Sequence, residues 1–403
     1  MWRVLLAMAG AFWALTAPVS AMDLSFDGYA DARVIVPAGS EKSWLDGGQG
    51  KLRFGAKQPS PDVRLVEAVG QATLAVTDEL HAVAVLRAEP EQRTAVDVLE
   101  SYLSWRPAGA GDWRWSAKAG AFFPSISVEN DDLGWTSPYT LTPSAINSWI
   151  GEELRTIGGE GQLARRTDLG TVTLIGALFC CNEPAGALIA DRGWALDDRP
   201  TALFERIRYP DATIRLFGET PPDRIGEFND IDGHVGWYGG ARVEAAGLGQ
   251  VTLIHYENRA DPFAASAGDA AWATKFWSLS LKTRAFDTAI LAQALTGDTA
   301  VGGGGRLFAT DFQSAFLLLS HDVGEDWRVS LRGEAFAVRH GGGTILNEDG
   351  DAVTAAAIWN ARDWLRLTAE LIHLDSRRFE RVLEHEPIQQ SDTQFQLGAR
   401  VFF

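Results

Sequence analysis

The chain has 403 residues, 46% of them hydrophobic, with 41 glycines, 15 tryptophans and a formal charge of -17. That balance argues against a nucleic-acid partner, which needs a basic face, and no run after residue 21 is long enough for a membrane helix. Abundant glycine and aromatic residues without long apolar runs suit a many-stranded β protein.

The first 21 residues read as a cleaved signal peptide. Met1-Trp2-Arg3 is a short basic region, Val4 to Leu15 an apolar one, and Val19-Ser20-Ala21 a small-residue cleavage site after Pro18. The apolar run is shorter than the ~20 residues a spanning helix needs. The expected mature chain begins at Met22 and is exported as one domain, residues 22–403. No Cys follows the cleavage site, so a lipoprotein is not expected.

Short connectors then alternate with long polar stretches. The short ones are Thr77-Asp78-Glu79, Pro107 to Asp112, Thr167-Asp168, Ala246 to Gly249, Phe286-Asp287, Val323 to Asp326 and Ala361 to Asp363. Between them lie longer stretches near 88–94, 124–150, 182–232, 259–270, 297–306, 340–350 and 376–391, with an eighth within 37–63. Bacterial barrels have short periplasmic turns and longer extracellular loops. Seven short turns joining hairpins give an all-β, transmembrane antiparallel barrel of about sixteen strands, eighteen being the alternative. Leu24 to Val36 is taken as the first strand, with Lys51 to Lys57 in the first loop.

Individual strands alternate with period two. From Trp113 to Phe123, the Trp113, Trp115, Ala117, Ala119, Ala121 and Phe123 face opposes Arg114, Ser116, Lys118 and Gly120. From Trp327, the Val329, Leu331, Ala335 and Ala337 face opposes Arg328, Ser330, Arg332 and Glu334. Leu99, Leu103 and Trp105 are placed opposite Glu100, Tyr102, Ser104 and Arg106. Trp113, Trp327 and Trp364 each follow a short turn, which fits an aromatic girdle at the periplasmic interface.

The last stretch, Asp392 to Phe403, puts Phe395, Leu397, Ala399, Val401 and Phe403 on one face and Gln394, Gln396, Gly398 and Arg400 on the other. Ending on Phe403, it resembles the C-terminal signature of Gram-negative outer-membrane barrels. The resemblance implies that Phe403 is a membrane-insertion signal read by the barrel assembly machinery. Signal peptide, terminal strand and hairpin spacing together look like a porin. Val98 to Trp105 followed by Lys118-Ala119-Gly120-Ala121-Phe122-Phe123-Pro124 resembles the phosphate-selective porin O/P-like group, where such a strand leads into a loop folded inside the pore. That group resembles itself in basic loop residues. The corresponding Ser127 to Leu133 is acidic here, so phosphate selectivity is not carried over.

Residues 124–150 are therefore the candidate constriction loop. Pro124, Pro138 and Pro143 stiffen it, and Glu129, Asp131, Asp132, Trp135 and Tyr139 are its candidate site residues. Arg114, Lys118, Arg328 and Arg332 are the candidate wall cations. Opposed carboxylates and cations would set up a transverse field and weak charge selectivity, with a slight lean toward cations. The long loop 182–232 carries Arg192, Asp197, Asp198, Arg199, Glu205 and Arg206, a mixture read as a solvated extracellular surface. Within it, Ala185 to Leu196 is expected to hold a short helix, the whole acting as a static cap. Cys180 and Cys181 are read as two unpaired thiols.

These features point to a water-filled channel for small hydrophilic solutes or ions in a Gram-negative outer membrane. Lipids surround it, and a homotrimer is one possible assembly. No cofactor, metal or catalytic residue is expected. The seven His are scattered, and Ser320-His321 is the nearest approach to a hydrolase pair. A lipase-like barrel hydrolase or a structural or adhesive barrel with a plugged lumen are the alternatives.

Overall fold

A computed structural model describes residues 23–38, 42–55, 60–217, 223–266 and 268–403. The signal-peptide expectation lies outside these residues. Sixteen antiparallel strands form one closed barrel. They are β1 (Asp23–Ala38), β2 (Asp62–Ala75), β3 (Leu80–Ala88), β4 (Val96–Trp105), β5 (Trp113–Phe122) and β6 (Thr156–Thr167). Next come β7 (Gly170–Cys180), β8 (Gly236–Ala245), β9 (Gly249–Glu257), β10 (Ala273–Ala285) and β11 (Thr288–Gly303). The wall ends with β12 (Arg306–Val323), β13 (Trp327–His340), β14 (Glu348–Arg362), β15 (Leu365–Arg378) and β16 (Gln389–Phe402). Each strand pairs with its sequence neighbour, and β1 closes on β16 from Tyr29↔Phe402 to Ala38↔Thr393. Past the last strand residue, Phe403 and Gly28 exchange backbone hydrogen bonds at 2.9 and 3.0 Å. Closure leaves no unpaired edge in the wall, as a membrane demands.

The expected faces hold on β13, β16 and most of β5, whereas Phe123, expected outside, is buried against Trp135. Phe395, Leu397 and Val401 point outward, while Gln394, Gln396 and Arg400 are buried inside. Trp113, Trp327 and Trp364 are exposed on the outer side near the turns. β4 departs from its expected pattern. Val85 pairs with Glu100 and Leu86 with Val98, leaving Leu99 as an extra residue. This bulge turns Leu99 inward, where it packs with Tyr29, Val69, Val85 and Ala202. The stretch 297–306 is not a long loop either. β11 and β12 run on through it, paired as far as Gly303↔Arg306, and turn at Gly304-Gly305, both with positive φ. Two-residue hairpins favour that backbone.

Among the described residues three α-helices lie in the loops: α1 (Ala145–Glu153), α2 (Ala187–Asp191) and α3 (Asp211–Phe217). Ser144 caps α1, its side chain accepting from the Asn147 amide at 3.4 Å. Cys180 and Cys181 form a disulfide between neighbours, so the expectation of two free thiols is corrected. It sits where β7 hands over to the long loop.

Candidate functional site in the lumen

Two segments fold into the barrel from its loop end, and the residues of the wall show why. On β10 to β15 the lumen-facing positions include Phe276, Leu291, Leu295, Phe312, Phe316, Phe336, Ile372 and Leu374, all buried. Apolar residues on the inner face of a barrel need a partner other than water. Ile146, Trp149 and Ile150 of α1 supply part of it, and Ala185, Ile189, Trp194 and Leu196 of the long loop supply the rest. One apolar cluster thus runs from Ile175 and Phe179 of β7 round to β15 through both segments. The Trp149 ring meets Phe312 at 5.1 Å, Phe276 at 5.4 Å and Trp194 at 5.9 Å.

Residues 182–205 form a plug rather than a solvated cap. Arg192, Asp197, Asp198, Arg199 and Glu205 are buried, which overturns the reading of this stretch as surface. The wall and the loops after β1 and β3 answer Asp198, Arg199 and Glu205, and Glu152 of α1 answers Arg192, while Asp197 has no ion pair among the described residues. Asp198 binds Arg33 at 2.5 Å and Arg53 at 3.0 Å. Arg199 binds Glu89 at 2.9 Å and also Glu205, which Arg87 reaches at 3.4 Å. Burial alone would raise the Asp198 carboxyl, but Arg33 and Arg53 more than offset it and hold it well below the usual range. The short expected helix is present as α2, and close backbone approach fixes its surroundings. A Cβ at Gly186 (φ 102°) would meet the Thr299 hydroxyl oxygen, and one at Gly193 (φ 79°) the Glu348 carboxylate. Only glycine fits both the left-handed backbone and the space.

The candidate constriction loop also lies inside, but its acidic residues divide. Glu129 is fully buried; Arg332 Nη1 donates to it at 2.6 Å and the Ser144 amide at 3.0 Å. Arg332 itself is buried between Glu129 and Glu334, so neither it nor Glu129 borders open water. Of the candidate site residues, Glu129 and Arg332 thus pair with each other, away from the water path. The loop is pinned further where Glu370 of β15 accepts from the Leu141 amide at 2.6 Å and Arg328 donates to the Pro138 carbonyl at 3.1 Å. Tyr139 is buried, and Trp135 stacks on Phe123 at 4.2 Å while donating to the Asn147 carbonyl at 2.9 Å. Only Asp131 and Asp132 are exposed, bridged to Lys282 at 2.5 Å and Arg366 at 3.4 Å.

Below this loop, toward the short turns, the lumen opens. One cavity of about 770 Å³ is lined by Arg106, Arg114, Lys118 and Arg242 against the carboxylates Asp131 and Glu160. Arg114, Ala164, Thr173 and Arg242 occupy one row across β5 to β8. The small side chains in the middle leave room between the two guanidinium groups. Glu160 is engaged by Tyr238, by Ser125 at 3.1 Å and by Lys118 at 3.5 Å. Arg106, Arg114 and Arg242 have no carboxylate partner among the described residues, and Arg242 Nε is buried without any partner. Arg114 donates instead to the Gly111 and Trp113 carbonyls, each at 2.8 Å. A second cavity, about 360 Å³, is lined by Arg284, Asp287, Asp322, Glu325 and Arg328. Arg242 was missed in the sequence, and Arg106, placed on the inward face there, was not counted among the wall cations.

Comparison with solved structures decides the fold. The chain matches the outer-membrane channel DcaP of Acinetobacter baumannii over 96% of its own length and 100% of that chain, with TM-score 0.57 and 12% identity. Its fold is that of the outer-membrane porins. The trimer form of Vibrio cholerae OmpT matches at TM-score 0.55 and 10% identity, over 95% of this chain and 100% of that one. An anion-selective porin from Comamonas acidovorans matches at TM-score 0.51 and 12% identity, again over 95% and 100%. No family model and no curated protein matches. At such identities the likeness carries the porin fold alone. Ser320 and His321 face opposite sides of this wall: Ser320 pairs with Ser330 inside, and His321 with Thr288 outside.

Proposed function

We propose that the protein is a passive diffusion channel for small hydrophilic solutes in the outer membrane of a Gram-negative bacterium. The observation that carries this reading is the polar 770 Å³ vestibule inside a closed, outwardly apolar wall. Its charge preference follows from which groups are free. Glu129 is spent on Arg332, and Asp131 and Asp132 are each bridged, whereas Arg106, Arg114 and Arg242 are not. A slight preference for anions replaces the cation lean that the loop's composition gives. Planar-bilayer recording in a salt gradient tests this: steps of conductance with an anion-sided reversal potential are expected. No steps under any condition, or a cation-sided potential, ends the respective part of the reading.

A non-conducting structural barrel is the second reading, favoured by the apolar cluster that joins plug and wall. The chain is taken as non-enzymatic; absence of esterase turnover on short acyl esters is the expected check. Phe403, paired with Gly28 at the barrel seam, is proposed as the element read during insertion. Its deletion should lower the heat-modifiable, membrane-inserted fraction, and unchanged levels would remove that role. A homotrimer is the assembly to test, by particle mass in detergent.

A further inference from the structure

Around the plug, cations are fewer than carboxylates, and the pairing leaves specific acids over. Glu152 is taken by Arg192, which donates to it at 2.9 and 2.5 Å. Arg206 takes Asp269 at 2.9 Å, and Arg378 takes Glu380 at 2.6 Å. Asp197, which faces Glu152, Arg192 and Asp198, has no ion pair among the described residues, and neither have Glu153, Asp191 and Glu227. Glu227 is fully buried, and neither carboxylate oxygen has a hydrogen-bond partner.

The charged groups facing these three come from several elements. Glu227 faces Glu152 and Glu153 at the end of α1, Asp269 from the loop after β9, and Arg192 after α2. Asp191 faces Glu380 and Arg378 at the end of β15, and Glu153. His340 of β13 lies beside the Ala190 backbone. Glu153 accepts from the Gly186 and Ile189 amides at 2.5 and 2.8 Å and from the Trp149 indole at 2.8 Å, with Arg192 and Glu152 nearby. Tyr209 faces all three acids. At the base of the plug Glu183 accepts from the Ile231 amide at 3.2 Å and faces Asp230 and Asp232.

A buried carboxylate without a cation keeps its proton, because low polarity disfavours the charged form. Burial pushes Glu153 up to about 7 even against its three donors. Burial, with Glu380 adding, pushes Asp191 up to about 8. Glu227 is held well above the usual range by burial and then by Glu153.

We propose that residues 182–205 are a proton-held closure: with Glu153, Asp191 and Glu227 protonated the plug stays packed, and their ionisation loosens it and opens the lumen. The inference rests on the channel reading above. Released into water, the three acids return to about 4. The docked plug then binds more protons than the released one. Docking is strongest in acid and weakens as pH rises from about 4 toward the docked values, by up to about tenfold per pH unit per group. The Asp198 pairs are ionised throughout that window, so that side holds while the α2 side lets go.

The test is single-channel recording of the refolded full chain at pH 6, 7 and 8, beside hydrogen exchange of peptides from 182–205 corrected for intrinsic rates. Open probability and exchange should both rise by about tenfold or more across the range. In Asp191→Asn/Glu227→Gln, which cannot ionise, the rise should shrink to about a third or less. A flat wild-type response, or an unchanged one in a variant that still shows heat-modifiability, overturns the proposal. If calcium closes the channel at pH 8 and a chelator reopens it, Glu227 holds a cation and the proton mechanism fails. Absence of conductance at every pH ends the channel reading, and the exchange arm then decides the closure alone.

Discussion

The plug is held on its two sides by different physics. Against β1, β3 and the loops that follow them it is ionic: Asp198, Arg199 and Glu205 meet Arg33, Arg53, Glu89 and Arg87 in one buried seam. Against β7 to β15 it is apolar: Trp194, Ile189 and Leu196 enter the cluster of Trp149, Phe276 and Phe312. Buried ion pairs seldom add net stability, since desolvation offsets their attraction, but breaking one strands its partner. Apolar burial is favourable in itself. The core side therefore supplies the drive for docking, and the seam fixes where the plug sits.

The sharpest way to break that contrast is Trp194→Ala. The side chain is fully buried, donates to the Ala337 carbonyl at 3.1 Å and packs edge-on against Trp149 and Phe312. Removing it should cost about 3–5 kcal/mol of packing. Hydrogen exchange in 182–205 should rise and unit conductance should increase. Conductance and exchange at wild-type values would show that the apolar side does not drive docking.

Asp198→Asn probes the other side and should do less. The amide keeps the shape and one acceptor for Arg33 and Arg53, so about 1–3 kcal/mol is expected. The pH signature is the better discriminator. Because the folded Asp198 carboxyl is lowered, its contribution is present above its unfolded value near 4 and is lost as pH falls through the folded one. The seam thus weakens in strong acid, while the α2 side weakens as pH rises. The difference in denaturation midpoint between wild type and Asp198→Asn should therefore be smaller at pH 3 than at pH 7. If the gap between them is unchanged, the seam is not the acid-sensitive element.

This division also explains what the sequence showed. The outer face was legible, because lipid imposes a strict period of two and the seven short turns set the count. The plug was not, because its charges look solvated when read alone. Arg192 and Asp198 become intelligible only beside Glu152 and Arg33, which are far away in sequence. A signal for the plug did exist. Phe316-Leu317-Leu318-Leu319 is apolar on both faces of β12, the pattern of a strand buried on both sides. With lipid outside, the inner half of that pattern calls for a packed interior. The Leu99 bulge had no such signal, since one extra residue leaves composition unchanged.

The constriction loop repeats the same contrast on a smaller scale, and its test carries the smallest energies. Glu129 is buried on Arg332, while Asp131 and Asp132 are exposed on Lys282 and Arg366. Exposed bridges contribute about 0–1 kcal/mol, so Asp131→Asn/Asp132→Asn should leave stability within about 1 kcal/mol of wild type. It should nonetheless move the reversal potential further toward anions, because the vestibule then loses the Asp131 carboxylate and Lys282 and Arg366 are left unanswered. Arg106→Gln with Arg242→Gln should move it toward cations. At 1 M salt the Debye length is about 3 Å, and both shifts should shrink. Glu129→Gln should behave in the opposite manner, lowering the folded yield while leaving the reversal potential in place, since its charge is screened from the water path by its partner. If instead Glu129→Gln moves selectivity and the exposed pair does not, the ion path runs past the buried end of the loop rather than along the vestibule.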